Sequence, residues 1–375
     1  MKRILVLGMV VMVVFLILSA CAPAVVPTPA PVARQPAVAP TTLVALSPEE
    51  TEWQKVVAAA KKEGKVTIYS WALTGDINIK VREAFRNRTG LDIEILTGTG
   101  APLIERIKAE RRGGFQIASV LDTSVVLLYQ AKLEGLTQTV GYLPNVADQT
   151  AWQKSPQIDP EANLLAVGRG WQSPWVNTKL LKPGEEPRSW KELLQPQWKG
   201  KIDFPDPDIT PTPVRVFYYL AKHGLNEAYF REIAKQVVFS PTNRLSAERL
   251  ARGEVSVAFV QSTVAMAPFA IEGAPVKAID MEEGVIAMQS PGIALVDRAP
   301  HLNAARVYIN WLLSQEGQTV YHKLSGTSSF RKDVPSFEPP SAQLSPKRTI
   351  WATPEGELEV AKIQRDKVLK RLMEK

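Results

Sequence analysis

The sequence predicts an α/β fold of two domains, and three observations carry that reading. From residue 48 onward, helix-period stretches alternate with short β-rich runs; this part of the 375-residue chain is over 320 residues long; and no apolar run beyond the N-terminus is long enough to span a membrane. Alternation of this kind builds sheets covered by helices. The length exceeds what one hydrophobic core usually supports, which divides the chain into two bodies. A content of 45% hydrophobic and 22% charged residues is that of a globular chain.

The N-terminus precedes that fold. Lys2 and Arg3 stand before fifteen apolar or glycine residues, Ile4 to Leu18, followed by Ser19, Ala20 and Cys21. The apolar run has the size of a signal-peptide core and falls short of the ~20 residues of a spanning helix. Leu18-Ser19-Ala20-Cys21 resembles the bacterial lipobox, which makes Cys21 the acylated first residue of the mature chain and residues 1–21 a lipoprotein signal. Cys21 is the only cysteine, so no disulfide forms within the chain and the core alone must stabilise the fold. Residues 22–47 carry prolines at 23, 27, 29, 31, 36 and 40. They read as a semi-rigid tether that extends by ~3.1 Å per residue.

The globular elements follow in order. Trp53, Val56, Val57 and Ala60 share a helical stripe that Gly64 ends, and Val66 to Tyr69 is a short buried strand. Ile79 to Arg88 reads as a helix stopped near Gly90, Leu91 to Leu96 as a strand, and Pro102 to Arg112 as a helix with proline in its first turn. The turn Thr97-Gly98-Thr99-Gly100 leaves backbone N–H groups at a helix start, where an anion or a carbonyl oxygen can be held. Net charge is +7, or +5 once the two charges of Lys2 and Arg3 are removed. Basic residues are interleaved with acidic ones, as in Lys61-Lys62-Glu63, so the charges solvate helix faces and point to no nucleic acid.

At this point the residues resemble a known family. Trp53 to Ser70, with Ala58-Ala59-Ala60-Lys61-Lys62-Glu63-Gly64 at its centre, is similar to the opening of the family 1 extracellular solute-binding proteins, which include ferric-ion and thiamine receptors. Val176-Asn177-Thr178-Lys179, Pro187 to Leu194 and Trp198 to Ile202 resemble that family's passage into its second domain. Ala299 to Ala305, Ile309 to Gln318 and Ser329 to Val334 resemble its late helices. The resemblance implies a type II periplasmic-binding-protein-like clamshell: two α/β lobes joined by hinge strands, with a small solute held between them. Lobe one would be residues 48–170 with a return over 287–335, and lobe two residues 171–286. The hinge crossings would fall at Gly170–Val176 and Ile286–Ile293, and residues 336–375 would form an irregular connection and a closing helix from Glu355 to Met373.

In such folds the ligand is held by loops at strand ends and by helix N-termini facing the cleft. The candidates in lobe one are Ser70, Trp71, Gly98, Thr99, Gly100, Asp122, Thr123 and Ser124. Beside the crossing stand Trp171, Gln172 and Trp175. In lobe two the candidates are Asp206, Thr210, Thr212, Gln261, Ser262 and Thr263. Each polar member can instead serve as an N-cap or a turn residue. Trp53, Trp190 and Trp311 lie among apolar neighbours at helical spacing and read as core.

Ferric-ion receptors of the family present two adjacent tyrosines after the lobe-two strand; here Gln261 and Ser262 stand in that place. Tyr218 and Tyr219 are adjacent but fall inside a predicted helix, where successive side chains diverge by ~100°. His223, His301 and His322 have no metal spacing and read as helix-end or surface residues. No metal and no cofactor is expected. No nucleophile elbow, zinc-helix motif, P-loop or dinucleotide fingerprint is present, and the chain does not read as an enzyme. The expected role is that of a monomeric, lipid-anchored, extracytoplasmic receptor that delivers a solute to ABC permease subunits, with sensing for a signalling partner as the alternative and a lipid-anchored hydrolase as the remote one. Trp71, Trp171 and Trp175 with Asp122 and Asp206 would suit an organic cation such as thiamine. The Gly- and Thr-rich helix starts would suit an anion or an anion-capped metal.

Overall fold

In the computed structural model, which describes residues 46–374, the first helix, α1 (Pro48–Glu63), begins where Ser47 and Glu50 form a reciprocal capping box and ends where Gly64 adopts a left-handed conformation. The chain then alternates strand and helix: β1 (Lys65–Ser70), α2 (Gly75–Thr89), β2 (Asp92–Thr97), α3 (Gly100–Arg112), β3 (Val120–Thr123), α4 (Val125–Leu133), β4 (Thr137–Gln138), α5 (Pro144–Ala147) and β5 (Leu164–Ala166). A second series follows: β6 (Arg169–Asn177), β7 (Ile202–Pro205), α6 (Pro211–Leu220), α7 (Glu227–Ala234), β8 (Val237–Ser240), α8 (Asn243–Arg252), β9 (Val257–Ser262), α9 (Thr263–Ile271), β10 (Val276–Ala278) and β11 (Val285–Gln289). The last third contributes β12 (Gly292–Val296), α10 (Leu302–Leu312), α11 (Gln315–Ser325), β13 (Thr349–Trp351), α12 (Pro354–Arg365) and α13 (Val368–Met373). The acylation site at Cys21 and the proline-rich stretch up to Ala45 lie outside the described residues.

These strands form two sheets. The first has the order β2-β1-β3-β12-β4, with β5 also on β12; β1, β2 and β3 are parallel and β12 is antiparallel to its neighbours. The second has the order β13-β11-β6-β9-β7-β8, with β10 also on β6. Strands β1, β3, β7 and β9 are buried along almost their whole length, polar members such as Asp122 and Asp203 included. Each lobe centres on aromatic packing. Phe85 meets Tyr308 and Trp311 edge-on in lobe one, and Phe259 packs with Phe204, Trp190 and Phe230 in lobe two. Trp190 and Trp311 are therefore core residues, and Trp53 is half-buried against the same cluster.

Three chain passages link the sheets. The first occurs at Val167–Gly168, slightly before Gly170, because β6 already pairs with β11 at Arg169. The second is Ser290–Pro291, between β11 and β12. The two are hydrogen-bonded to each other, Val167 N to Pro291 O and Ser290 N to Gly168 O, each at 2.8 Å. The third runs from Gly326 to Arg348 and was not foreseen: it returns the chain to lobe two, where β13 pairs in parallel with β11. At Gly168 a Cβ would stand 2.4 Å from the His322 ring and 2.8 Å from Ser328 O, so only glycine lets the passages come together.

His322 lies in the last turn of α11, one of the two placements expected of it, but away from the surface. It is fully buried, its Nδ1 lies 2.7 Å from the Thr327 hydroxyl and its Nε2 3.2 Å from Val167 O. Burial pushes its pKa down to about 4, so the ring is neutral and knits α11 to the first passage. The closing helix also differs from expectation. It is broken into α12 and α13 at Lys367, whose φ of 52° is left-handed.

Candidate functional site

Strands β1, β2 and β3 each run directly into a helix, and their C-terminal ends are tied together. Trp71 N donates to Asp122 O at 3.2 Å and Gly98 N to Ser70 O at 3.0 Å. Ser70 acts as a staple within this edge. Its hydroxyl donates to Asp122 Oδ2 at 2.5 Å and accepts from the backbone N–H of Ala72 and Leu73. Asp122 is buried, its Oδ1 has no partner, and burial, opposed by the Ser70 hydrogen bond, pushes its pKa up to about 7. Gly100 is required by packing: a Cβ there would stand 2.3 Å from Thr123 Oγ1 and 2.4 Å from Leu127 Cδ1. The Thr123 hydroxyl is thereby placed against the first residue of α3, and it too is buried without a partner.

Helix starts in this chain divide into those capped from within and those that are not. Ser47, Asn226, Thr242, Ser262, Ser314 and Thr353 each cap their own helix through the side chain. The start of α10 is covered by the Glu63 carboxylate, which accepts from Asn303 N and Ala304 N. The residues preceding α2, α3, α4 and α6, namely Thr74, Thr99, Ser124 and Thr210, make no side-chain cap. All four follow the C-terminal ends of parallel strands. The first turns of α3, α4 and α6 also contain no acidic residue of their own to offset the helix dipole. Thr74 escaped the sequence reading because the apolar period of α2 starts only at Ile77.

The lobe-two residues behave otherwise. Thr210 donates to Asn243 Oδ1 at 3.3 Å, Asn243 Nδ2 donates to Thr212 at 2.7 Å, and Gln261 Nε2 donates to Asn243 O at 3.2 Å. Asn243 is thus the centre of a network, and sequence reasoning missed it because nothing local marks it. Ser262 caps α9 through Ala265 N, and the Thr263 hydroxyl accepts from Trp171 N at 3.1 Å. Asp206 is paired with Lys370 of α13 at 3.4 Å. Buried oxygens without partners in lobe two include Gln172 Oε1, Ser173 Oγ, Gln261 Oε1, Asp203 Oδ1, Asp208 Oδ1 and Ser246 Oγ. Among the described residues, no hydrogen bond joins the lobe-one candidates to the lobe-two candidates.

Two of the three candidate tryptophans are packing residues. Trp175 is fully buried in a second apolar cluster with Ala247, Leu250 and Met266. Trp171 is nearly buried at the first passage, 6.5 Å from the Trp351 ring and beneath the Arg169 guanidinium at 5.3 Å. Trp71 alone remains half-exposed. Tyr218 and Tyr219 lie in α6 with their rings crossed at 86°, and the Tyr219 hydroxyl bonds to the backbone of Thr353. Among the described residues no cluster of three or more His, Cys, Asp or Glu side chains is placed to hold a metal.

Comparisons with known proteins agree with this geometry. The family model of bacterial extracellular solute-binding proteins matches residues 66–324. A putative 2-aminoethylphosphonate-binding periplasmic protein of Salmonella typhimurium is 30% identical over 270 residues, covering 68% of this chain and 75% of the relative. The periplasmic binding protein AfuA from Actinobacillus pleuropneumoniae, solved with fructose-6-phosphate bound, superposes with a TM-score of 0.70 at 21% identity, over 83% of this chain and 98% of that one. Iron-bound HitA from Pseudomonas aeruginosa superposes with a TM-score of 0.65 at 19% identity, over 80% and 98%. The architecture is that of a type II periplasmic binding protein.

Proposed function

This chain belongs to the bacterial extracellular solute-binding proteins, and from that premise we propose that it captures a small solute bearing a phosphonate- or phosphate-type oxyanion and delivers it to the permease subunits of an ABC importer. One observation carries the choice of solute class: the start of α3 packs against the buried, unpartnered Thr123 hydroxyl, and the Ser124 hydroxyl at the start of α4 is likewise buried without a partner. Backbone N–H groups at helix starts and neutral hydroxyls are the donors that hold an oxyanion, and the helix dipoles favour its charge. The curated relative is named for an aminophosphonate and the AfuA structure holds a sugar phosphate, which accords with such a subsite. An organic cation is less well served, because Trp171 and Trp175 are taken up by packing and Asp122 is closed off behind the strand ends. Ferric ion chelated by a tyrosine pair is not served by Tyr218 and Tyr219.

Cys21 carries the lipid in this reading, and the proline-rich stretch lets the receptor reach the permease from the membrane surface. Cys21→Ala should release the protein or leave its signal uncleaved; a variant that stays processed and membrane-bound would overturn the anchor. The solute class is tested by thermal shift with 2-aminoethylphosphonate, fructose 6-phosphate, inorganic phosphate, thiamine and ferric citrate. A solute at 100 times its Kd adds ~2.7 kcal/mol to stability. Stabilisation by oxyanions, weakened in Thr123→Val, supports the reading. Stabilisation by thiamine alone would sink it.

A further inference from the structure

The C-terminal segment has a placement that solute capture at the helix starts does not use. Ala352, Thr353 and Pro354 line a small interior cavity of about 10 Å³ with Val125 of α4 and with Met288 and Gln289 of β11. From this point beside the strand passages α12 extends between α4 of lobe one and α6 of lobe two. Its buried face consists of Glu357, Val360, Ala361 and Gln364.

The two sides of α12 are fastened unequally. Toward lobe two, Arg215 and Glu357 are both buried and pair through two hydrogen bonds, Nε to Oε1 at 2.8 Å and Nη2 to Oε2 at 2.6 Å. The Tyr219 hydroxyl accepts from Thr353 N at 2.9 Å. Gly356 brings the helices so close that a Cβ would stand 2.2 Å from Tyr219 Oη. Beyond α12, Lys367 reaches Asp208, and Lys370 reaches Asp206 and Asp208, all at 3.4 Å. Toward lobe one, the hydrogen bonds from α4 are those of Gln130 Nε2, to Ala361 O at 3.4 Å and Gln364 Oε1 at 3.3 Å. Pulling α12 away from α6 would strand a buried charge on each side, whereas parting it from α4 breaks two long amide contacts and apolar packing.

We propose that α12 and α13 form a latch that travels with lobe two and grips α4 of lobe one, so that opening the cleft separates α12 from α4 while the Arg215–Glu357 pair keeps α12 in place. The contact extends outward from the passages, with Gln364 two turns beyond Glu357, so a hinge rotation moves its far end most. Such a contact holds the empty receptor toward the closed arrangement, and its strength sets how much closure is left for the solute to drive.

The test uses the empty full-length chain and no solute, so it fails or succeeds independently of the oxyanion reading. Spin labels at Lys80→Cys on α2 and Lys235→Cys on α7, in a Cys21→Ala background, report the inter-lobe distance by pulsed electron resonance. Gln130→Ala should shift the distribution toward longer distances while leaving the melting temperature within about 2 °C. Glu357→Gln should shift it further and raise hydrogen exchange in α12. If Glu357→Gln fails to fold, Gln130→Ala and Gln364→Ala decide the matter alone. An unchanged distribution in the variants that fold would overturn the latch and leave α12 an ordinary packing helix.

Discussion

At the ends of β3 and β9 the two lobes use the same local device, a short buried strand that runs into a helix through a serine N-cap, yet the serines differ in what they do. Ser262 in lobe two accepts from Ala265 N and is satisfied within its own helix. Ser124 in lobe one makes no such bond, and its hydroxyl is buried and unpartnered. The strand residues behind them repeat the contrast. Gln261 donates into the Asn243 network, while Thr123 has no partner at all. Buried polar groups in native proteins are rarely left without partners, so a wall where several coincide is one that expects something to arrive. The proposed oxyanion subsite lies on the lobe-one side of this contrast. Lobe two also holds buried polar atoms without partners, among them Gln172 Oε1, Ser173 Oγ, Asp203 Oδ1, Gln261 Oε1 and Trp198 Nε1, so the contrast is confined to these two helix starts and the strand residues behind them.

The buried strand carboxylates give the largest test of this contrast. Asp203 in β7 is held by the Ser240 hydroxyl at 2.6 Å and by Arg249 Nη1 at 2.7 Å. Asp122 in β3 has Ser70 and no cation. The pKa of Asp122 is pushed up to about 7 from an unfolded value of about 3.9, so the folded chain holds more protons between these limits and stability falls as pH rises through that window. The full effect is bounded at about 4 kcal/mol, near 1.36 kcal/mol per unit. His322, with its pKa pushed down to about 4, acts oppositely: stability is lost as pH falls from about 6.5 toward 4. Denaturant titrations of Asp122→Asn should show the decline toward pH 8 removed and the His322 dependence exposed. Asp203→Asn should instead lose roughly 2–3 kcal/mol at pH 8, because it leaves Arg249 short of its partner. Equal responses of the two variants would erase the distinction between the lobes.

A second way to break the comparison is to spoil the wall itself. In Gly100→Ala the new Cβ meets Thr123 Oγ1 and Leu127 Cδ1 at less than contact distance, so α3 must shift away from α4. Overpacking of this kind costs about 1–3 kcal/mol. Calorimetry should find oxyanion binding weakened beyond what the loss of stability accounts for. Normal affinity in a folded Gly100→Ala protein would place the solute elsewhere.

Thr123→Val sharpens the contrast without disturbing shape. Removing a buried hydroxyl that has no partner relieves a desolvation penalty, so the melting temperature of the empty protein should hold or rise. Binding of the oxyanion should weaken by about 1.5–3 kcal/mol, one hydrogen bond to a charged group. A fall in stability with unchanged binding would show the hydroxyl to be structural.

Much of the scaffold was legible beforehand because its signals are local. The helix that carries Trp53, Val56, Val57 and Ala60 and ends at Gly64, the strand after it and the Gly90 stop are each written in periodicity and stop signals, and they stand where expected. The candidate site was open to reading only by rule: strand ends in such a fold point to the cleft, which put Thr99, Thr123 and Ser124 among the candidates. Which candidates remain free depended on tertiary partners that a sequence does not display. Trp175 is absorbed by Ala247 and Met266, Asp206 by Lys370, and Thr210 by Asn243. The third passage was missed for a related reason. Residues 326–348 are rich in proline and serine, and the strand they lead to, Thr349–Trp351, is three residues long and takes its identity from pairing with β11.

The smallest expected effect concerns two threonine caps. Thr242 begins α8 in lobe two and accepts from Leu245 N at 3.1 Å, whereas Thr99 begins α3 in lobe one and makes no side-chain cap. Replacing a working threonine cap by alanine costs about 1 kcal/mol. Thr242→Ala should therefore lower stability by about that amount in chemical denaturation and leave oxyanion affinity within a factor of about two, since Thr242 serves its own helix. Thr99→Ala removes a hydroxyl its helix does not use, so stability should change by only a few tenths of a kcal/mol, about the alanine-for-threonine propensity difference. Its effect should appear on binding instead, as a loss of about 1.5 kcal/mol, the low end for a hydrogen bond to a charged group, if the hydroxyl reaches the solute. The double variant should then be additive in stability, because the two helices share no partner. If Thr99→Ala costs as much stability as Thr242→Ala, the start of α3 is capped in solution, and the free donors on which the lobe-one wall depends would be reduced to those of α4.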